Sequence, residues 1–301
     1  MDNQTEYAEL EFIDEPIYIH PKEIFVSKII DDIEIENKSN TFFDDRKDMI
    51  ILDKNTDVYT DTGKLLLKFR TNVIPDEYVN ILYNNMKSAA PKSGGRSESS
   101  GKPEDGNIYK TQISKNGKIL RLLKKKVRSG ITGYYDSSSM FGHISASGKY
   151  CRETAFTAKN LTKFNSCIIA FKLIDDLYRQ LTPDIYCKQK EAIKKINPEY
   201  VISDTVFTTV TVNKNFRTAL HKDKGDFDQG LGTLVVCSKG TYEKGYTLFP
   251  QYNIGVDCRN GDFLLMDVHE WHCNAPIIGD GVRLSFVLYL REKMIKLCPR
   301  N

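Results

Sequence analysis

The spacing of apolar and polar positions changes part-way along the 301 residues. Leu65 to Phe69 is an apolar run behind the turn residues Asp61-Thr62-Gly63, which predicts a strand. Pro75 then opens DEYVNILYNNMK, whose Tyr78, Ile81, Leu82 and Met86 recur at helical spacing. Cys167 to Lys195 is also helical. Ile168, Phe171, Leu173, Ile174, Leu177 and Leu181 share a broad apolar face, and Pro183 marks a break because proline offers no N–H to the helix ladder. From Thr205 onward the chain is a series of short β-runs, TVFTTVTV, TLVVC, YTLF, FLLMD and RLSFVLYL, separated by Gly, Asn and Asp. Helices followed by about six to eight strands predict an α+β fold, a β-sandwich or jelly roll with helices packed on one outer face. There is no internal repeat.

Residues 1–64 read differently, as an acidic lead-in or cap in which short apolar patches (Ile17 to Ile19, Ile24 to Val26, Met49 to Leu52) alternate with charges. Residues 65–301 form the principal domain on this reading. Inside it, AAPKSGGRSESSGKPEDG is rich in Gly, Ser and Pro and predicts a loop near 88–106. Ile108 to Leu123 alternates in part around Asn116-Gly117, the mark of a β-hairpin.

Charge adds an asymmetry that the net value of +3 conceals. Residues 1–62 hold 17 acidic against 6 basic side chains, a balance of −11, whereas residues 91–128 hold 11 basic against 3 acidic, a balance of +8. The basic stretch, with Lys124, Lys125 and Lys126 near its C-terminal end, reads either as the seat of a polyanion or as a solvated loop. Seven cysteines, an odd number and without a CxxC pair, argue against a disulfide framework and a structural zinc site and for a reducing compartment. MDNQTEYAELEFIDEPIYI has no basic start followed by an apolar run, and no stretch of about 18 apolar residues occurs. The expectation is an intracellular protein, nuclear or cytoplasmic, neither secreted nor in a membrane.

The chemistry-bearing residues lie in the strand-rich part. His221-Lys222-Asp223 ends the segment Thr205 to Leu220, and residues two apart on a strand project to one side. Alone, His-x-Asp is a weak signal that occurs often by chance, and an exposed turn is its commoner reading. Downstream, GDFLLMD runs from Gly261 into His269-Glu270-Trp271-His272, so a second histidine ends another strand. Two His and one carboxylate on one face leave three octahedral positions of Fe(II) open. Arg283-Leu284-Ser285 follows on RLSFVLYL, where a guanidinium and a hydroxyl share a face and can hold a carboxylate. The other reading is an edge-strand arginine in solvent. If the strand before His221 stays regular, Asn213, Asn215 and Arg217 share its inward face while Val212, Phe216 and Leu220 pack outward under helices.

In this order, HxD, a distal His after Gly-Asp and a strand, and RxS on the next strand resemble the Fe(II)- and 2-oxoglutarate-dependent oxygenases built on a double-stranded β-helix. The resemblance covers roughly residues 65–301. Asn213-x-Asn215-Phe216-Arg217, His221-x-Asp223-x-Gly225-Asp226 and Trp271-His272-Cys273-Asn274 are similar to the branch containing the J-binding proteins and the ten-eleven translocation enzymes. Arg128 to Asp136 and Cys151 to Thr157 also resemble that branch.

The resemblance implies that His221, Asp223 and His272 hold iron, with His269 as the rival for the distal place. It implies that Arg283, with Ser285, binds the distal carboxylate of 2-oxoglutarate, and that O2 is the second co-substrate. Arg217 is a candidate for the proximal carboxylate or a substrate phosphate. On the substrate side, the candidates are Asn213, Asn215, Asn274, Arg128, Arg152 and Tyr135. Tyr134, Tyr135 and Phe156 read either as a stacking platform for a base or as core. The implied activity is hydroxylation of the 5-methyl group of thymine or 5-methylcytosine in DNA. The same residue set also serves a protein side-chain (prolyl-type) hydroxylase or one acting on RNA or a nucleoside, and a silent jelly-roll binding module would lack a ligand. DNA is the implied partner, and no protein partner is indicated.

Overall fold

A computed structural model describes residues 21–93, 96–102, 109–114, 116–123, 127–136 and 150–300. The chain opens with β1 (Lys22–Val26), helix α1 (Asp32–Asn37), β2 (Ile50–Leu52), β3 (Thr56–Thr60), β4 (Leu65–Arg70) and α2 (Asp76–Met86). Then come β5 (Lys92–Ser93), β6 (Tyr109–Ile113), β7 (Ile119–Leu123), β8 (Val127–Asp136), β9 (Cys151–Glu153) and the helices α3 (Ala155–Lys159), α4 (Leu161–Ser166), α5 (Ile168–Leu181) and α6 (Pro183–Ile193). The remainder is β10 (Thr209–Lys214), β11 (Gly232–Lys239), β12 (Glu243–Lys244), β13 (Thr247–Phe249), β14 (Ile254–Val256), β15 (Phe263–Met266), β16 (Cys273–Asn274), β17 (Ile277–Ile278), β18 (Val282–Tyr289) and α7 (Glu292–Leu297).

The large sheet runs β1-β3-β4-β15-β11-β18-β10-β8-β5, with β9 added to β8; the smaller one runs β16-β13-β14-β2. Period-two alternation decides which layer each side chain joins. Val210 and Val212 of β10, Val235 and Cys237 of β11, Phe263 and Leu265 of β15, and Leu284, Phe286 and Leu288 of β18 pack with α2, α4 and α5 in one core. Leu234 and Val236, with Leu264 and Met266, face the other way onto Phe249, Ile254 and Val256 of the small sheet. Two open sheets face each other, with helices on the outer side of the larger, which is the α+β double-stranded β-helix expected from the sequence.

The strand at Leu65, the helix after Pro75, the helix pair broken at Pro183 and the hairpin at Gly117 all form. In α2 the buried residues are Val79, Leu82 and Met86. The described part of the acidic segment supplies edge strands: β1 lies parallel on β3, and β2 parallel on β14. Within the Gly/Ser-rich stretch, residues 96–102 are tied down, the Ser99 carbonyl accepting from Ala219 N–H and the Asn40 carbonyl from Lys102 N–H. Lys124 to Lys126 lie outside the described residues. One expectation is corrected. Cys151 and Cys298 form a disulfide across a Cα–Cα distance of 6.0 Å, a pairing that 147 residues of separation hid from the sequence. Among the described residues, no helix is long and apolar enough to cross a membrane.

Candidate metal centre and co-substrate pocket

β10 stops at Lys214, because Asn215 turns the chain into the left-handed region at φ +44. The irregular stretch that follows carries His221 to the segment after β15. There His221 N–H donates to the His272 carbonyl at 3.0 Å and His272 N–H returns the bond at 3.1 Å. Asp223 N–H donates to the Val268 carbonyl at 2.9 Å. Main-chain bonds between two distant segments therefore hold the three side chains. Gly261 sets the start of β15: its φ of +79 suits glycine, and a Cβ would meet the Ile74 carbonyl at 3.0 Å.

The two imidazoles have defined tautomers. Nδ1 of His221 lies 2.8 Å from the Ala219 carbonyl, and Nδ1 of His272 lies 2.9 Å from the Glu270 carbonyl. A carbonyl only accepts, so each Nδ1 bears the proton and each Nε2 presents a lone pair. Those Nε2 atoms lie 3.6 and 3.7 Å from the Asp223 carboxylate oxygens. Burial, followed by the neighbouring His221, lowers the pKa of His272 to about 4, so its imidazole is neutral at pH 7. The ligand atoms of all three residues lie within 4.8 Å of one another. Two imidazole nitrogens and a carboxylate converging on one point fit a divalent iron with a free face. His269 stands outside this cluster. Its Nδ1 is 3.3 Å from Asp267, whose hydrogen bond raises the imidazole's pKa.

The triad opens on a cavity of about 630 Å³ between the sheets, lined also by Asn213, Asn274, Ser285 and Tyr135. Arg283 lies on the same face of β18 as Ser285 and is buried, yet its Nε and Nη2 have no hydrogen-bond partner. Leaving buried guanidinium N–H groups without an acceptor costs about 1–3 kcal/mol or more. The arrangement fits a carboxylate ligand.

The Tet_JBP family, described as the oxygenase domain of the 2OGFeDO superfamily, matches residues 130–292. The chain belongs to this family. It is 40% identical over 167 residues to the bifunctional helicase and thymine dioxygenase JBP2 of Trypanosoma brucei brucei (strain 927/4 GUTat10.1), covering 54% of this chain and 15% of that protein. It is 33% identical over 172 residues to the thymine dioxygenase JBP1 of the same organism, covering 55% of this chain and 19% of that protein. The chain thus spans less than a fifth of the length of these curated relatives. The solved structure of NgTET1 in complex with 5mC DNA matches with a TM-score of 0.55 at 18% identity, covering 84% of this chain and 83% of that one, which establishes the shared fold. The superfamily implies Fe(II), 2-oxoglutarate and O2, and His221, Asp223, His272 and Arg283 all lie inside the matched Tet_JBP segment.

The other expected site residues divide. Asn213 lines the cavity with an unpartnered Oδ1, and Asn274 lines it while accepting from the Thr218 hydroxyl at 2.8 Å. Tyr135 lines it too, with the exposed Arg152 guanidinium 4.8 Å from its ring centre. Arg128 is exposed on β8 opposite Lys92, away from the cavity lining. Asn215 is committed to the fold, accepting from Arg283 N–H at 2.7 Å and donating to the Gly281 carbonyl at 2.9 Å. Arg217 is turned outward onto the Phe43 carbonyl and the Asp44 carboxylate, at 3.0 and 2.9 Å. The left-handed step at Asn215 breaks the parity on which the inward assignment of Arg217 depended, and for the same reason Phe216 faces the cavity instead of the helices. Tyr134 packs edge-on to Tyr200 and Phe156 joins the helix-side core, the packing alternative for both.

Sequence reasoning missed Arg96, Asp226, Tyr289 and Arg291, which line the same cavity. Arg96 donates to the Thr211 hydroxyl at 3.0 Å, and Arg291 pairs with Asp136. Burial, then the nearby Asp223 charge, pushes the Asp226 carboxyl well above the usual carboxylate range, and its Oδ2 has no partner. Counting by two from Arg283 along β18 reaches Tyr289 and Arg291, a signal present in the sequence. Arg96 sits in a loop that no periodicity places.

Proposed function

We propose that this chain hydroxylates the 5-methyl group of a pyrimidine base in DNA, thymine in the first instance, using Fe(II), 2-oxoglutarate and O2. The observation that carries the reading is the buried Arg283 guanidinium, whose Nε and Nη2 have no partner among the described residues, on the same strand face as Ser285, which lines the cavity into which His221, Asp223 and His272 converge. Similarity to thymine dioxygenases at 33–40% identity, over a little more than half of this chain, supports the choice of base.

In this reading, Fe(II) with 2-oxoglutarate and O2 supplies, when bound, an oxidant able to hydroxylate an unactivated methyl group. The protein's own residues do the positioning. His221 and His272 keep Nδ1 on backbone carbonyls, which aims each Nε2 at the metal without a competing proton. Arg283 and Ser285 orient 2-oxoglutarate through its distal carboxylate. Asn213 Oδ1 and Asp226 Oδ2, both buried and unpartnered, are available to the polar edge of an inserted base, and Tyr135 offers a flat surface.

The test is mass spectrometry of nucleosides after incubating thymine-containing DNA, RNA or a peptide with the protein, Fe(II), 2-oxoglutarate and ascorbate. Hydroxymethyluracil nucleoside is expected from DNA, dependent on 2-oxoglutarate and absent with His221→Ala or Asp223→Ala. Product persisting in both variants, or forming only on RNA or peptide, overturns the proposal.

A further inference from the structure

Hairpin β6–β7 forms a two-stranded sheet of its own, paired with neither of the larger sheets. Its turn is well made. Ser114 N–H donates to the Lys118 carbonyl at 2.8 Å, Lys118 N–H to Ser114 Oγ at 3.0 Å, and Gly117 takes the left-handed φ of +74 that the turn needs. The last cross-strand pair before the turn is Ile113 opposite Ile119, and each is 71% exposed. Directly opposed residues project to one face, so the tip carries a paired apolar knuckle in water.

The sequence around the knuckle narrows what covers it. Between Asp105 and Asp136 there are 8 Lys or Arg and no acidic residue. Such a segment favours a polyanion over an ordinary protein surface. Phosphates alone leave two isoleucines without a partner, whereas stacked bases offer an apolar one. The hairpin is also inserted between two stretches that line the cavity of the candidate metal centre: Arg96, Glu98 and Ser99 before it, and Ile131 and Tyr135 on β8 after it.

We propose that Ile113 and Ile119 form a wedge that enters the base stack of a DNA duplex and fills the space left when the target base turns out into the cavity. Apolar side chains inserted between base steps are a recurrent way of holding a duplex open. The proposal rests on the reading that DNA is the substrate.

The test compares the full chain with Ile113→Thr/Ile119→Thr, which keeps β-branching at the tip but removes its apolar character, and with Ile113→Leu/Ile119→Leu, which keeps the apolar bulk. Each acts on one thymine-containing strand, supplied alone or as a duplex. The threonine pair is expected to lower kcat/KM on the duplex by about ten-fold or more while leaving the single strand within about two-fold, because only the duplex must be opened. The leucine pair is expected to restore duplex activity. A 2-aminopurine beside the target should brighten on binding the wild type and stay dark with the threonine pair. Duplex turnover that is unchanged, or that falls in parallel with single-strand turnover, removes the wedge alone. The wedge is equally removed if the threonine pair alters self-association without moving the duplex-to-single-strand ratio. A wild type that oxidises neither form of DNA removes the DNA reading and the wedge with it.

Discussion

A buried guanidinium with N–H groups lacking an acceptor gains by release from its charge or by the arrival of an anion, and Arg283, with Nε and Nη2 unpartnered among the described residues, is in that position. Arg283→Met keeps much of the volume and removes the charge. Two effects of opposite sign are expected. Affinity for 2-oxoglutarate falls by about 30-fold or more, since a buried charge partner is worth roughly 2–5 kcal/mol. The melting temperature of the co-substrate-free protein holds or rises, because a buried charge with unsatisfied N–H groups is gone. Titration calorimetry and melts without 2-oxoglutarate check the pair, and equal losses in both would assign Arg283 a structural role. At this scale the sequence distinguished Arg283 from Arg217 poorly. Both are arginines near an expected strand, and only burial and the Asp44 and Phe43 partners of Arg217 separate them.

The short link from β15 to His272 is braced by a charged network reaching back to the turn between β3 and β4. Lys64 lies 2.7 Å from Asp267 and 2.9 Å from Glu270, and the Glu270 carbonyl holds His272 Nδ1. Burial would raise the Asp267 carboxyl, but hydrogen bonds from His269 and Lys64 outweigh it and lower the pKa to about 2. A depressed carboxylate stabilises above its unfolded value of 3.8, and that contribution is lost as pH falls through about 2. The raised His269 stabilises fully below its unfolded value of 6.5 and loses the contribution as pH rises through its folded one. Asp267→Asn should therefore cost about 2 kcal/mol between roughly pH 4 and 6.5; the gap to wild type closes as pH falls through about 2 and narrows, without closing, as pH rises through the folded His269 value, because the bonds from Lys64 and the His269 main-chain N–H remain. Urea unfolding at a series of pH values reads this, and a gap independent of pH would place the loss outside the ion pair. Strand parity, by contrast, was legible: β18 sends Ser285 and Tyr289 to the cavity and Leu284 and Phe286 to the helices as a period of two requires. It failed at Asn215, because a single left-handed residue leaves no trace in an apolar pattern.

The three candidate ligands come from segments about 50 residues apart that the fold joins by reciprocal main-chain bonds, so the unfolded chain offers no equivalent site. Anaerobic Fe(II) at about 100 times its dissociation constant is expected to stabilise the protein by about 2.7 kcal/mol, raising Tm by about 4 °C. Chelation should reverse the shift and Asp223→Ala should abolish it. An identical shift in that variant would show that metal binds elsewhere.

The sequence by itself determined the alternation that sorts side chains between two layers, the helices on one of them, and the ordered spacing of His221, Asp223, His272 and Arg283, because these are local properties of a strand or helix. Only the tertiary structure decided that His272 joins the cluster while His269 pairs with Asp267, that Arg217 turns outward, that Cys151 meets Cys298, and that Arg96, Asp226 and Arg291 share the cavity. Those outcomes depend on which distant segments lie side by side, and burial and pairing at such junctions arise only when the two sheets close on each other.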